Sequence, residues 1–454
     1  MTENIIRGEF EYNGKIYPFI IQNRILTVVQ SAFRYSVDFE NKEDLGTLMG
    51  VTDTNKYILL LDCRVWNPQF ITLSGKLQIA LHGYILQDIK DDGYDQIKFC
   101  SPALNVFYSP RKAWTPQIGV GKELPGLTLK SYSDSARQVA VNILEENIQC
   151  VLDFEQYFNL RLEDCYTLSV KTNFSMVFQE RRSSLDLGKY YLYLRDFLAF
   201  VNFRNDIPFD EITLWCLKND GRMHKSGTAV IFQSNDVTYD LKAYNTITYD
   251  DLDANSFAVL FREIAEQRTL DRYNPYYIPS NKAESNILDR AKWLVTASSF
   301  EGEFDKKYKD IKAKQSVEFK RTKSLLLSVI DQTVDDSGVS INNARNKYLK
   351  SFRHLIEHYD TTIKEKYKLC ETLFAAEIAD AKKKYCRQAG VAIDTDFSEK
   401  YAEARNHAAH GVIEPIRDTD VVIFMLLRCF IYLLIMERAS VPSVKMKEII
   451  TKLF

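Results

Sequence analysis

The sequence predicts an α+β protein in which a β-rich, sandwich-like N-terminal domain is followed by an all-α helical bundle. Apolar and polar residues alternate with a period of two in segments up to about residue 245. Apolar residues at helical spacing dominate the later part of the chain. The stretch YNPYYIPSN, residues 273–281, carries two prolines between these two regions. We therefore predict domains at 1–245 and 281–454, with a helical linker at 246–280.

The predicted strands come from short alternating segments. The alternating residues are Leu77, Ile79 and Leu81 in GKLQIALHG, and Val237, Tyr239 and Leu241 in NDVTYDLK. YTLSVKTNFSMVFQE, residues 166–180, shows the same period. Turn-forming clusters such as DDGYD and NDGR separate these segments.

Helical spacing first occurs inside the β-rich half, between Leu187 and Val201. The next helical segment, DDLDANSFAVLFREIAEQR, places Phe257, Leu260, Phe261 and Ile264 on one face, and Asp250 or Asp251 is its predicted N-cap. The bundle helices are predicted near 283–300, 303–331, 341–358, 361–388, 397–411 and 418–438, with a short one after Pro442.

Composition excludes several classes of protein. The net charge of −2 argues against a general polyanion binder, so any nucleic-acid site must be a local patch. The eight cysteines form no CxxC pair, which argues against a zinc ribbon and favours reduced thiols. MTENIIRGEFEYNGK contains no apolar signal region. The apolar run at 421–436 is short for a membrane span, which needs about 20 residues, so we predict a buried helix and a cytoplasmic protein without membrane contact.

Residues 300–390 hold 19 lysines and arginines against 14 acidic residues, a net charge of +5. Lys382, Lys383 and Lys384 are its densest cluster. Such cations often form a solvated helix face with i,i+4 ion pairs. The alternative is that they guide a phosphate backbone, which makes these three lysines candidate RNA-binding residues.

RNHAAHG, which starts at Arg405, concentrates chemically active side chains. In a helix, Asn406 and His410 share a face, and the long side chain of Arg405 can reach the same groove. His407 is rotated away by about 100° from Asn406. Gly411 suits a helix C-terminus, where the helix dipole favours a protonated imidazole. We therefore expect Arg405, Asn406 and His410 to converge on one anion.

Such a trio suits cleavage of RNA by in-line attack of a 2′-hydroxyl on the adjacent phosphate. Arginine holds phosphate oxygens and keeps its charge, and histidine can move a proton near neutral pH. Asparagine can orient the substrate. The reaction needs acid–base catalysis and charge stabilisation, but no metal ion or other cofactor. Glu403 and Glu414 flank the trio without forming a carboxylate cage.

RHLIEH, residues 353–358, has the same Arg-x4-His spacing, so spacing alone does not identify a site. It lies inside a continuing amphipathic stretch, SFRHLIEHYD, in which Leu355 and Ile356 are predicted core residues. RNHAAHG differs, because small alanines leave room beside its histidine and a glycine follows. We interpret RHLIEH as structural.

RNxxxHG before a final apolar helix resembles the HEPN superfamily, whose motif is Arg-x4-6-His, often with a polar residue after the arginine. Arg405, Asn406 and His410 match it position by position, and His407 occupies a variable position. SSFEGEFD resembles the segment in which such proteins often carry a glutamate, and Glu301 is its match. The wider layout is similar to that of ApeA-type abortive-infection proteins of bacterial antiphage defence.

The resemblance implies a helical bundle that acts as a metal-independent endoribonuclease, with two motifs meeting in a dimer. Arg405, Asn406, His410 and Glu301 would then be the catalytic residues. The partners would be RNA, with tRNA as one candidate, and a second copy of the chain. Because an enzyme that cuts essential RNA must be restrained, the 1–245 domain would be a sensor or regulatory domain that answers a phage-derived trigger.

Two other functions remain open on the sequence alone. The bundle could be a non-catalytic HEPN-type binding, antitoxin or dimerisation module. The β-rich domain could bind a ligand or carbohydrate on a stacking platform that includes Trp66 and Trp114, although aromatic residues in β domains are more often core.

Overall fold

The first part of the chain forms strands and the second part forms helices, as the sequence predicts. The computed structural model describes residues 5–28, 39, 43–66, 77–88, 90, 93–117, 126–159, 167–232, 241–272, 274–308, 317–335, 343–357, 362–409 and 415–454. The chain divides into two compact units. Unit 1 is Met1–Tyr273 with Ile278–Ser285, and unit 2 is Asn274–Tyr277 with Asn286–Phe454. Of the predicted helical linker at 246–280, Asn274–Tyr277 belongs to unit 2 and the rest belongs to unit 1.

Unit 1 contains the described strands. They are β1 Ile6–Tyr12, β2 Lys15–Gln22, β3 Ile25–Val28, β4 Asp44–Thr52, β5 Tyr57–Val65, β6 Leu77–Ala80, β7 Gly83–Gln87, β8 Tyr94–Cys100, β9 Trp114–Gln117, β10 Gly126–Leu129, β11 Arg137–Ile143, β12 Glu146–Asn159, β13 Thr167–Arg182, β14 Glu211–Leu217 and β15 Met223–Ile231. Its helices are α1 Pro102–Phe107, α2 Tyr132–Ser135, α3 Leu187–Asn202 and α4 Ala254–Thr269. Strands β6 and β13 confirm two of the predicted alternating segments. Of the third, Val237 and Tyr239 lie outside the described residues, and Leu241 belongs to no strand.

Six strands of unit 1 close into a barrel. Antiparallel pairing runs β1–β2–β3–β6–β5–β4, and β4 pairs again with β1. The barrel is filled by apolar side chains, namely Phe10, Tyr17, Phe19, Ile21, Leu26, Val28, Phe39, Leu48, Ile58, Leu60, Cys63, Val65, Leu77, Ile79 and Leu81. The sandwich-like expectation is therefore wrong, because hydrogen bonding between β4 and β1 closes the strands on themselves instead of leaving two stacked sheets.

Glycines allow the closing pair of strands to approach. A Cβ atom on Gly8 of β1 would lie 2.4 Å from the carbonyl oxygen of Val51 and 2.9 Å from the Cα atom of Thr52. A Cβ atom on Gly50 of β4 would lie 2.3 Å from the carbonyl oxygen of Glu9. The obstructing atoms are backbone atoms, which a side-chain rotation cannot move. The β1–β4 contact therefore requires residues without a side chain.

The sheet continues beyond the barrel because β5 pairs with β6 near Val65 and with β7 along Tyr57–Leu61. From β7 the order is β15–β14–β8–β13–β12–β11. Aromatic contacts join this part of the sheet to α3 and α4: Phe178 of β13 lies 4.6 Å from Tyr190, and Phe174 lies 5.6 Å from Phe261, between ring centroids. The predicted helix between Leu187 and Val201 is confirmed as α3.

Helix α4 buries the predicted face of Phe257, Leu260, Phe261 and Ile264, but its predicted N-cap is wrong. The Asp253 carboxylate accepts a hydrogen bond from the backbone N–H of Ser256 at 2.7 Å and is the actual cap. Asp251 instead accepts hydrogen bonds from Thr248 in the preceding 3₁₀ turn, and Asp250 pairs with Lys112. Two consecutive capped turns explain why the sequence could not select among these aspartates.

Unit 2 is helical. Its helices are α5 Arg290–Tyr308, α6 Val317–Asp335, α7 Asn343–Glu357, α8 Ile363–Leu373, α9 Ala375–Ala389, α10 Phe397–Ala409, α11 Asp418–Arg438 and α12 Ser443–Leu453. The predicted boundary between 300 and 303 is wrong, because α5 continues through Gly302. The predicted single helix at 361–388 is also wrong. It is divided at Phe374, whose backbone turns away from helical geometry (φ −108°, ψ 24°) while its ring is buried.

Helix α11 forms the centre of unit 2. Its residues from Val422 to Met436 are buried apart from Met425, and it packs against α5, α9, α10 and α12. Among the described helices it alone is long and apolar enough to cross a membrane, but 83% of its apolar window is buried inside the protein. The prediction of a buried helix at 421–436 is confirmed. Arg428 is also buried, stacks on the Phe424 ring at 4.1 Å, and has its pKa lowered to about 10 by that burial.

Replacing Gly8 by alanine should lower the free energy of unfolding by about 1–3 kcal/mol, because the new methyl group meets the backbone of β4. Gly188, in α3, is the matched control, since a Cβ atom there meets no heavy atom within 4 Å. Gly188→Ala should leave the stability unchanged or raise it by up to ~1 kcal/mol. Chemical denaturation of the two variants measures both effects, and equal stabilities would show that the barrel does not close through this contact.

Candidate functional site

Helix α10, which carries the start of the RNHAAHG motif, is held in place at its first turns. The Asp396 carboxylate accepts hydrogen bonds from the backbone N–H groups of Ser398 and Glu399, at 3.1 and 3.2 Å. Tyr401 is fully buried, and its ring centroid lies 5.4 Å from that of Tyr367 and 5.9 Å from that of Phe300. These contacts with α8 and α5 set the rotation of α10 about its axis, and so they set the direction of Arg405 one turn later.

Arg405 and Glu301 form an ion pair between α10 and α5. The Arg405 Nε atom donates to the Glu301 Oε1 atom at 3.1 Å, although the two residues are 104 positions apart in the chain. The side chains keep 25% and 21% of their surface exposed, so the pair lies at the surface of the bundle with one side open to solvent. Two residues that the sequence analysis assigned to one site are therefore in contact.

Tyr401 is a third member of this group, and the sequence analysis missed it. Its hydroxyl donates to the same Glu301 Oε1 atom at 3.3 Å. Burial, and then the neighbouring Glu301 charge, raise the pKa of Tyr401 well above its usual range, so the hydroxyl remains a neutral donor. The available signal was position, because Tyr401 lies four residues before Arg405 on the same helical face. Glu301 is thus held from two sides.

The remaining motif residues are less completely described. Asn406 lies on the exposed side of α10, one position beyond Arg405. His410 and Gly411 lie outside the described residues, so the expected convergence of Arg405, Asn406 and His410 stays a prediction.

A hollow lies beside the motif and contains residues that the sequence analysis did not select. Its lining consists of Arg290, Trp293, Ala404, His407, Ala408, Pro415, Ile416, Arg417 and Asp420. The Trp293 indole N–H donates to the Asp420 carbonyl oxygen at 3.2 Å, which ties α5 to the first turn of α11. Arg417 reaches the Asp420 carboxylate at 3.3 Å. The hollow therefore combines an imidazole and two guanidinium groups with one carboxylate.

Sequence spacing could not reveal this hollow, because its residues come from α5, α10 and the segment that leads into α11. One sequence feature does match it. Ala408, whose small size was noted as leaving room beside a histidine, lines the hollow together with His407. Among the described residues, no group of three or more histidine, cysteine, aspartate or glutamate side chains is arranged to hold a metal ion.

The three candidate RNA-binding lysines of α9 are in different environments. The Lys382 Nζ atom lies 2.6 Å from the Glu371 Oε1 atom and 5.2 Å from the centroid of the Phe397 ring. Lys384 donates to the carbonyl oxygen of Phe454 and lies over the Tyr385 ring. Lys383 is exposed. Two of the three cations are thus engaged in contacts within unit 2.

The second Arg-x4-His segment lies on α7. The Arg353 Nε atom pairs with the Asp331 Oδ1 atom of α6 at 2.7 Å, which is a structural contact between two neighbouring helices. Ile356 is only partly buried, so its assignment to the core is wrong: none of the α6 and α7 residues whose burial the structure describes is fully buried. The burial of Leu355 and the position of His358 are outside what the structure describes.

The two tryptophans proposed for a stacking platform belong to unit 1. Trp66 follows β5 and has 52% of its surface exposed, whereas Trp114 begins β9 and is partly buried. Of the two, Trp66 is therefore the more exposed.

Lys382→Ala should lower the stability of unit 2 by roughly 1 kcal/mol, because it removes a half-buried ion pair and a cation–π contact. Lys383→Ala should change stability by less than about 0.5 kcal/mol, since its side chain is exposed. Thermal unfolding of the two single variants measures the difference. If Lys383→Ala were the more destabilising of the two, the ion pair and the cation–π contact of Lys382 would not contribute to the stability of unit 2.

The geometry therefore identifies two neighbouring features at one end of α10. One is the Arg405–Glu301–Tyr401 group, and the other is the hollow that contains His407. Comparisons with protein-family models, curated proteins and solved structures find no match to this chain.

Proposed function

We propose that the chain is a metal-independent endoribonuclease of bacterial antiphage defence, with a HEPN-like helical bundle in unit 2. The supporting observation is the Arg405–Glu301 ion pair. The resemblance assigns these residues to one active site from two separate segments, and their side chains meet at 3.1 Å. Their partial exposure leaves room for a substrate phosphate beside the guanidinium group.

Each residue has a distinct role in the proposed reaction. The Arg405 guanidinium binds the phosphate that is attacked and stabilises the negative charge that develops there. Glu301 and Tyr401 fix the direction of that guanidinium before RNA binds. His410 transfers protons, and Asn406 orients the RNA by hydrogen bonding.

The bonds and protons of this reaction balance without a further reactant. The 2′-oxygen forms a bond to phosphorus while the bond from phosphorus to the 5′-oxygen breaks. One proton leaves the 2′-hydroxyl, and one proton is delivered to the 5′-oxygen. The products carry a 2′,3′-cyclic phosphate and a 5′-hydroxyl group.

The proposed enzyme acts as a homodimer in the cytoplasm. Each chain supplies one motif, whereas the reaction uses both a base and an acid, so a two-fold pairing of motifs completes the site. Unit 1 restrains the activity until a phage-derived trigger is present. The substrate is RNA, and tRNA is one candidate.

A non-catalytic binding or dimerisation module is the second candidate function. The observation that favours it is that Arg405, Glu301 and Tyr401 also tie α10 to α5, which a purely structural bundle needs as well. The two functions differ in whether purified protein cuts RNA. Total RNA incubated with the protein in EDTA, followed by mapping of the new ends, separates them.

His410→Ala should abolish RNA cleavage and cell toxicity, because proton transfer contributes about 10²–10⁴-fold to such rates. Arg405→Ala should lower the turnover at saturating RNA, because it removes charge stabilisation in the transition state. His358→Ala is the matched control and should retain full activity, since it belongs to the other Arg-x4-His segment. Strict dependence on Mg²⁺, or loss of activity in His358→Ala alone, would contradict the proposed mechanism.

Glu301 should act as a positioning residue for Arg405. Glu301→Ala should lower kcat by about tenfold or more with little change in KM, because the guanidinium loses its fixed direction. Glu301→Gln keeps an oxygen that accepts from Arg405 Nε, so it should retain more of the activity. The kinetic constants and the melting temperatures of both variants are measured and compared. Glu301 would only hold the helices together if Glu301→Gln and Glu301→Ala had equal kcat values. The same conclusion would follow if the loss of kcat only paralleled the loss of stability.

A further inference from the structure

The hollow beside the motif contains a guanidinium group that no described residue neutralises. Its charged or titratable lining residues are Arg290, His407, Arg417 and Asp420. Arg417 and Asp420 neutralise each other, because the Nε and one terminal nitrogen of Arg417 each lie 3.3 Å from an oxygen of the Asp420 carboxylate. Arg290 is partly buried, and its guanidinium group has no hydrogen-bond or ion-pair partner among the residues that the structure describes.

Arg290 does not stabilise the helix that it begins. It is the first residue of α5, and the N-terminal end of a helix carries about half a positive charge, which disfavours a cation there. Asp289 offsets part of this charge by accepting a hydrogen bond from the backbone N–H of Lys292 at 2.7 Å, but it forms no ion pair with Arg290 in the described part of the chain. A partly buried cation in this position is unfavourable unless an anion joins it. The hollow therefore has the character of an anion site.

The acidic residues near the hollow are engaged elsewhere. Asp420 is paired with Arg417, as described above. Glu403 lies outside the lining, and its carboxylate accepts a hydrogen bond from Lys400 at 3.0 Å. That hydrogen bond, and then the charges of Arg417 and His407, lower the pKa of Glu403. Among the described residues that line the hollow, no carboxylate is therefore left for Arg290.

Consecutive residues of the motif connect the hollow to the candidate site. Successive residues of a helix are rotated by about 100°. Arg405 contacts Glu301 on one flank of α10, Asn406 lies on the exposed outer side, and His407 lines the hollow on the other flank. A polyanionic strand that crosses the outer side of α10 therefore passes Arg405, Asn406 and His407 in this order and then reaches Arg290.

We propose that the hollow binds a phosphate group of single-stranded RNA, close along the strand to the phosphate held by Arg405. The Arg290 guanidinium donates hydrogen bonds to the phosphate oxygens, and His407 lies beside them. The choice of RNA rests on the proposed ribonuclease function, to which Arg290 adds a binding residue. Arg290 is remote from the bond that breaks and takes no part in proton transfer.

The first test measures the affinity of the protein for a short single-stranded RNA with 2′-O-methyl groups, which has no 2′-hydroxyl to attack and is not cut. Arg290→Ala should raise the dissociation constant by about tenfold and reduce the salt slope of binding by about 0.7, because one charge-assisted phosphate contact is lost. Lys292→Ala is the matched control. It removes the same charge two positions later, rotated by about 200° and outside the lining, and should change the dissociation constant by less than about twofold.

Equal effects of the two variants, or no measurable binding by the wild-type protein, would overturn the proposal. Because this measurement needs no cleavage, its failure differs from failure of the proposed function, in which total RNA stays uncut.

The second test locates the bound phosphate by replacing one linkage of the RNA at a time with a neutral methylphosphonate. At the linkage that occupies the hollow, the neutral group should weaken binding to the wild-type protein by about tenfold and binding to Arg290→Ala by less than about twofold, since both changes remove the same contact. A different linkage should show this behaviour with Arg405→Ala. If no linkage distinguishes the wild-type protein from Arg290→Ala, the hollow does not hold the strand.

Inorganic phosphate provides the remaining comparison. If it raises the melting temperature of the wild-type protein but not of Arg290→Ala, while both bind RNA equally well, the hollow takes a small phosphate compound and the assignment to RNA is wrong.

Discussion

The burial of α11 is the constraint on which the helical unit depends. A helix that is apolar all round must be covered on every side, and here α5, α9, α10 and α12 provide the cover. Arg428 shows how complete this burial is, since its charged group lies against the Phe424 ring at 4.1 Å in the interior. Moving a charged group from water into the protein interior is unfavourable, so the packing around Arg428 must offset that cost.

The candidate site is a consequence of that packing. Helix α10 lies on α11 and α5 through its buried face, where Tyr401 packs against Phe300 and Tyr367. The next turn of the same helix then presents Arg405 to Glu301 at the surface of the bundle. The buried phenol of Tyr401 and the partly exposed guanidinium of Arg405 share the Glu301 carboxylate, so the core and the candidate site are linked through Glu301. The hollow that contains His407 is bounded by the same three helical segments.

The residue types and periods in the sequence predicted the individual elements better than the contacts between distant elements. The apolar run at 421–436 was predicted to be a buried helix because it is shorter than the roughly 20 residues of a membrane span and Arg428 interrupts it. Glu301 and Arg405 could be placed together only through a family resemblance, since no local pattern links positions 104 residues apart. Closure of the barrel through Gly8 and Gly50 could not be predicted, because a period of two says which face is buried but not which strands pair. Tyr401 was missed because it resembles an ordinary core aromatic.

Closure of the barrel also bears on aggregation. An open sheet has two edge strands whose unpaired backbone groups can capture a strand from another chain. In the thirteen-stranded sheet of the described residues, β6 at one end of the order pairs with both β3 and β5, so that end offers no free edge. The other end is β11, which packs against α4. A sheet of this size therefore presents one edge strand instead of two, which leaves fewer places where a strand of another chain can add to it.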